Sequence, residues 1–321
     1  MLRPKGLERS RSSWWWLWAS LLSVPLFELS RHAWIVTHVP SDADYRAAAS
    51  FVRSQFQAGD LITGAPSFID PIVRLHLGDL ITPAMAGRSD DAAYERIWVI
   101  SIRDAVPADA PRTTPQLERE FGRVRVLRYA LGKSPVLFDF TGAWSIASAT
   151  IVRGGSEQAC PMRAGGVPRG GGLGKGVLMP FSRRFECDSD RPWLVMGPVV
   201  MEDLDNQPRA CIWQHPQGQE PVSLRFPNVP IGDQLVFYGG LYYESERMRE
   251  GGPVEATIAI DGVARARFTH RDGDGWKRSV VNTQELAGRH TEVSISVRAP
   301  EPHQRSFCWS ASTRRARVGA P

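Results

Sequence analysis

Between residues 193 and 314, apolar and polar positions alternate in short runs separated by Gly, Pro, Asn and Asp. Nine runs carry the period-two pattern of a strand with one buried face. They cover 193–201, 210–215, 222–226, 233–243, 254–260, 264–270, 276–281, 291–297 and 305–312. Strands of this length and spacing predict antiparallel sheets closed into a sandwich or barrel. Upstream the period changes. Residues 42–56 place Ala48, Phe51, Val52 and Phe56 on one helical face, with Asp42 at the start and Gly59 beyond the end. A strand over 61–66, a helix over 69–80 and the unbroken apolar run 96–102 follow; the last is the pattern of a strand buried on both faces. A helix over 116–122 and strands over 123–130 and 135–140 complete a small α/β unit with a partly parallel sheet. Residues 153–192 show neither period and read as the least structured region.

The stretch 14–30 is apolar and aromatic, with Trp14, Trp15, Trp16 and Trp18 and no charge before Glu28. A span needs about 20 apolar residues, with a lower limit near 17; this stretch is short, and Pro25 interrupts it. A signal-peptide core, a short anchor, and the last helix of a longer membrane protein all fit. The absence of a small-residue cleavage site after it favours an uncleaved anchor. The tryptophans match an interfacial belt. Arg3, Lys5, Arg9 and Arg11 before the stretch, against Arg31 after it, orient the N-terminus to the cytoplasm.

The fold class expected is α+β: an N-terminal membrane anchor helix, a small α/β domain and a C-terminal antiparallel, jelly-roll-like β-sandwich. The organisation read from the chain is a basic cytoplasmic tail (1–13), the anchor (14–30), the α/β domain (41–140), the sandwich (141–314) with a Gly-rich loop at 164–180, and a tail (315–321). The expected location is the bacterial inner membrane, with most of the chain periplasmic or extracellular.

Composition narrows the function classes. Of 321 residues 23% are charged and 42% hydrophobic, and the net charge of +5 sits mostly near the termini. Nucleic-acid readers concentrate charge on one face, so no nucleic acid is expected as partner. The motif GGGLGKG (170–176) has Arg169 and Gly176 where a phosphate-binding loop needs Gly and Ser or Thr, and it reads as a loop. Cys160, Cys187, Cys211 and Cys308 all lie in the C-terminal half. Their spacings of 27, 24 and 97 lack the C-x₂₋₄-C clustering of a zinc site. An even count outside the cytoplasm permits full pairing; of three connectivities, Cys160–Cys187 with Cys211–Cys308 is preferred. No metal and no cofactor is expected. Asp272 and Asp274 in RDGDG lack the rest of a calcium loop and read as a turn.

Two resemblances enter here. RAAASFVRSQFQAGDLI (46–62) and YERIWVISIRDA (94–105) resemble the extracytoplasmic part that follows the membrane bundle in bacterial glycosyltransferases of the dolichyl-phosphate-mannose mannosyltransferase type. The resemblance covers roughly residues 14–140 and implies location and ancestry. It does not imply transferase activity, because the catalytic acids of that family sit on a bundle of many spans that this chain lacks. Asp42 and Asp44 fit helix capping better. GDGWKRSVVNTQELAGRHTEVSISVRA (273–299) and RSFCWSAS (305–312) resemble the end of jelly-roll modules of the carbohydrate-binding type, which implies a glycan partner.

The aromatic residues named as ligand-binding candidates are Trp213, Tyr238, Tyr243 and Trp276, because planar rings offer sugars a flat apolar face with a polar edge. In YGGLYYESE, Tyr242 and Tyr243 are expected on opposite faces of a strand. No catalytic residue is assigned; the weak candidates are His215 with Glu202, Asp203 or Asp205 as an acid/base pair. Three readings stay open: a non-catalytic, membrane-anchored envelope protein binding a glycan or an envelope protein, an envelope carbohydrate-active enzyme, and the remnant of a membrane glycosyltransferase.

Overall fold

The computed structural model describes residues 12–107, 110–164, 177–179, 183–191 and 193–316. Residues 1–11 of the basic tail (1–13), the end of the C-terminal tail at 317–321 and most of the Gly-rich loop, with its GGGLGKG, lie outside these residues. Two compact units emerge: residues 1–56 with 63–77 and 98–129, and residues 57–62 with 78–97 and 130–321.

The N-terminal segment forms one helix, α1 (Ser12–His38). Among the described residues no helix is long and apolar enough to cross a membrane, so the anchor expected at 14–30 is not supported. The physical reason lies in its composition. Ser20, Ser23, Glu28 and Arg31 recur along the helix, Pro25 sits inside it, and tryptophan favours a membrane interface over its hydrocarbon core.

Helix α2 (Asp42–Gln55) starts with a capping box. Ser41 Oγ accepts the Asp44 N–H at 3.2 Å, and the Asp44 carboxylate accepts the Ser41 N–H at 2.9 Å. The bond from the Ser41 backbone N–H, helped by that from the Arg123 N–H, outweighs burial and holds the Asp44 carboxyl below its usual range. Strand β1 (Asp60–Ala65), helix α3 (Asp70–Leu77), strands β2 (Arg96–Ser101), β3 (Leu117–Phe121) and β4 (Val124–Ala130) follow, with sheet order β1-β2-β4-β3. The sheet is mixed: β3 and β4 are antiparallel, while Glu95 N–H to Gly59 O and Ile102 N–H to Ala65 O pair β1 and β2 in one direction. Residues 116–122 are therefore a strand, not the expected helix. LEREF alternates with period two, and Gly122 at φ +58 turns the chain straight back into β4.

The second unit is a β-sandwich. Its strands are β5 (Val136–Asp139), β6 (Ser148–Arg153), β7 (Ser156–Ala159), β8 (Met162–Ala164), β9 (Val177–Met179), β10 (Arg183–Glu186), β11 (Val195–Glu202), β12 (Pro208–Gln214), β13 (Val222–Pro230) and β14 (Gln234–Leu241), then β15 (Val254–Ile260), β16 (Val263–His270), β17 (Lys277–Asn282), β18 (His290–Arg298) and β19 (Phe307–Arg314). Short helices α4 (Pro83–Ala86) and α5 (Tyr243–Met248) accompany them. The larger sheet runs β17-β14-β19-β12-β11-β10-β8, with β5 on β19 and β9 on β11; the smaller runs β16-β15-β18-β13-β6-β7.

All nine strands expected from the alternation are present. Three expectations are corrected. Residues 153–192, read as least structured, contribute strands: β7 pairs with β6, and β8 and β10 extend the larger sheet. These strands are only three or four residues long, below the length at which alternation is legible. PVLFDF does not finish the α/β unit, because β5 pairs with β19 and Phe138 and Phe140 pack against Phe226 of β13. Tyr242 and Tyr243 do not continue β14. Tyr243 opens α5, and the two rings meet edge to face at 4.5 Å.

The core between the sheets is aromatic at its centre. Trp309 stacks on Phe237 at 5.6 Å and meets Phe140 and Phe226 edge-on. Fully burying each such side chain contributes on the order of 1.5–3 kcal/mol. Cys160 bonds to Cys187, and Cys211 to Cys308. The second bridge joins the neighbouring strands β12 and β19. Two disulfides mark the protein as extracytoplasmic.

Candidate aromatic face on the larger sheet

On β14, Leu235, Phe237 and Leu241 point into the core, so Tyr238 and Gly240 point outward. The register extends this outward row across the sheet. Gly240 lies opposite Cys308, Cys308 opposite Trp213, and Trp213 opposite Gly197. At Gly240 a Cβ would come within 2.9 Å of Trp276 Cε3, so the missing side chain is what lets the indole lie across β14.

Beneath these rings Val195, Val199, Met201, Cys211, Tyr242 and Cys308 form a buried cluster of their own. Trp213, Tyr243 and Trp276 are half-buried against it. Three of the four aromatic candidates are thus brought together over the Cys211–Cys308 bridge. The fourth is not. Tyr238 is buried, and its hydroxyl donates to Asp90 at 2.7 Å. Burial and that carboxylate push the phenol up to about 12. Asp90 also accepts from Arg314 at 2.7 Å. Burial raises the Asp90 carboxyl, but the bonds from Arg314 and Tyr238 outweigh it and hold the group below its usual range. The stretch around Asp90 lies along this face: Gly87 O accepts the Ala210 N–H at 2.7 Å, and Ser89 Oγ meets Ser310 Oγ at 2.8 Å and accepts Trp276 Nε1–H at 3.1 Å.

Charged groups frame the three rings. Arg209 sits 5.8 Å from the Trp276 centroid, fixed by Asp203 at 2.7 Å. Arg247 lies 4.9 Å over Tyr243 and donates at 3.4 Å to Leu204 O and Asn206 Oδ1. Tyr243 Oη donates to Glu244 at 3.2 Å. Burial, the bond with Tyr243 and the charges of Glu244 and Glu202 push the Tyr242 hydroxyl up. The sequence reading missed Arg209, Arg247 and Glu244. Arg209 precedes Cys211 and Trp213 by two and four residues, which in a strand assigns it to their face. Arg247 follows Tyr243 by four, a helical spacing hidden while the stretch read as strand.

No family model matches the sequence, and no curated protein does. The glycosyltransferase resemblance of residues 14–140 therefore finds no support. Among solved structures, similarity is found to a CBM51-2 module with INT domains of ZmpB from Clostridium perfringens in complex with GlcNAc (15% identity, 37% of this chain, 26% of that chain, TM-score 0.28). A CBM51 from Clostridium perfringens GH95 in complex with methyl-galactose is also similar (10% identity, 36% and 81%, TM-score 0.27), as is the secreted serine protease VesC from Vibrio cholerae (10% identity, 68% and 42%, TM-score 0.23). The chain thus spans about a quarter of the first of these. All are distant at these scores.

The acid/base pair does not assemble. Gln214 lies opposite Met196 and Pro208 opposite Glu202, so His215 and Glu202 stand at opposite ends of the β11–β12 hairpin, roughly 20 Å apart at about 3.3 Å per residue. His215 is buried, bonded through Nδ1 to Pro216 O at 2.8 Å and packed on Trp193 at 4.8 Å. Burial lowers its pKa to about 4. Asp203 is buried and caps its own turn, accepting the Asp205 and Gln207 N–H groups at 3.0 and 2.9 Å. Asp205 is exposed in that turn. Asp272 and Asp274 pair with Arg305 and Lys277, both at 2.7 Å. No metal-ligating group of three or more such side chains occurs among the described residues.

Proposed function

We propose that the chain is an extracytoplasmic glycan-binding protein of the cell envelope, and that its jelly-roll-like sandwich, strands β5 to β19, holds the ligand on the outer face of the larger sheet. Trp213, Tyr243 and Trp276 are the stacking platform. The observation that carries this reading is the gathering of three half-buried rings in one patch, framed by Arg209, Arg247 and Glu244. Flat apolar area bordered by charged hydrogen-bonding groups is the chemistry a sugar ring requires. Nothing in the reading requires a membrane span. The test is a glycan array followed by titration of the best ligand with the full chain. Trp213→Ala and Tyr243→Ala should each weaken binding at least about tenfold while leaving the unfolding midpoint within a few degrees, in line with losing one anchoring aromatic. Absence of any glycan signal above background, or unchanged affinity in both variants, would sink the reading.

A further inference from the structure

The first unit has a cavity of its own. A cavity of about 800 Å³ opens between the C-terminal half of α1 and the β2 and β3–β4 ends of the mixed sheet. Its α1 wall is apolar: Trp34, Ile35 and Val39, with His38 stacked on Trp34 at 4.3 Å. Opposite stand Arg103, Arg123 and Arg125, and Arg31 closes the rim. Against these four guanidiniums the lining holds two carboxylates, Asp104 and Glu120, while Glu118 and Asp44 stand behind Arg125 and Arg123.

The fold engages two of these arginines and leaves the other two at the surface. Arg125 meets Glu118 at 3.1 Å and Asp104 at 3.5 Å, yet its Nε–H is buried with no acceptor among the described residues. Arg123 donates to Thr37 O at 3.1 Å, which aims its head into the cavity. Arg31 lies over the Trp34 ring at 5.2 Å, and neither it nor Arg103 makes an ion pair among the described residues. Arg103 and Asp104 both adopt left-handed backbone, φ +55 and +56, in a turn closed by Ala105 N–H to Ile102 O. Beyond the rim, the same face of α1 continues with Phe27 and Val24 exposed.

We infer that this cavity takes the phosphate headgroup of an anionic amphiphile. Phosphate matches the forked donors of Arg31, Arg103, Arg123 and Arg125. The alkyl chains leave along Trp34, Ile35 and the exposed apolar side of α1.

The test is cosedimentation of the full chain with vesicles of dioleoylphosphatidylglycerol or dioleoylphosphatidylcholine, beside calorimetric titration with glycerol 3-phosphate. The expected result is binding to the anionic vesicles, weakened at least about tenfold by Arg31→Glu with Arg103→Glu, since each arginine near an anionic surface is worth several-fold in affinity. Arg267→Glu, an exposed charge on β16, should leave it within about twofold. Trp34→Ala, which changes no charge, should weaken vesicle binding and leave any glycerol 3-phosphate binding unchanged. Equal binding to both vesicle types, an equal loss with Arg267→Glu, or binding of glycerol 3-phosphate without binding of vesicles would overturn the inference. None of these outcomes bears on the glycan-binding reading.

Discussion

Trp309 Nε1 donates to Gln214 Oε1 at 2.7 Å at a depth where neither side chain is exposed. The same amide donates through Nε2 to Val222 O at 2.8 Å and Ile295 O at 3.1 Å. Gln214 is rooted in the larger sheet, while Val222 and Ile295 belong to the smaller one, so one side chain ties the two layers together. Gln214→Leu would leave an indole N–H and two carbonyls buried without their partner. The expected cost is about 2–4 kcal/mol, read as a lower urea midpoint. Combined with Trp309→Phe, the loss should be less than additive, because the second change removes a donor already orphaned.

Gly240→Ala tests the aromatic face from below. The added methyl would sit 2.9 Å from the Trp276 ring and 3.0 Å from Gly275 O. Overpacking of this kind costs about 1–3 kcal/mol, and displacement of the indole should weaken glycan affinity alongside. Adding Trp276→Ala should recover part of the lost stability, without restoring affinity. No recovery would place the strain on the Gly275 carbonyl instead.

The two disulfides should differ in both worth and lability. Loop-closure entropy assigns roughly 3.5 kcal/mol to the Cys160–Cys187 loop and roughly 4.7 kcal/mol to the much longer Cys211–Cys308 loop. Paired Cys→Ser variants compared by thermal unfolding should fall in that order. Cys211 and Cys308 are fully buried, whereas Cys187 is only half-buried. Mass-spectrometric thiol labelling under dithiothreitol should therefore detect Cys160 and Cys187 first. Simultaneous labelling of all four would show global opening instead.

His215 should make the sandwich acid-sensitive. Its folded pKa is depressed to about 4 by burial, against 6.5 for the free side chain. Between these values the unfolded chain binds a proton that the folded chain does not, so stability falls as pH drops from about 6.5 toward 4. A shift of this size corresponds to roughly 3 kcal/mol. His215→Asn should flatten that part of the stability profile relative to the native chain. Parallel profiles would show that other groups set the acid response.

Much of this was legible in the sequence for a physical reason. Strands of six or more residues with one buried face leave a period-two trace, and β15 was recovered at its observed ends. β7, β8 and β10 are too short to leave one. β3 reads as a helix in the sequence because Leu117, Glu118 and Glu120 are also good helix formers, and its strand conformation depends on the turn at Gly122. Trp213, Tyr243 and Trp276 were legible as residue types, but their convergence depends on cross-strand register and on a turn of helix at Tyr243. Tyr238 fell out of the platform because Asp90, distant in sequence, claims its hydroxyl.

The order of strands in the larger sheet bears on how the protein is made. β19 lies between β14 and β12, and it bears Arg314, which Asp90 must meet across 224 residues. A chain interrupted before residue 307 would hold two half-sheets, each with a bare edge open to aggregation or proteolysis. The sandwich closes only when its last strand arrives, so the fold itself inspects whether synthesis of that strand was finished.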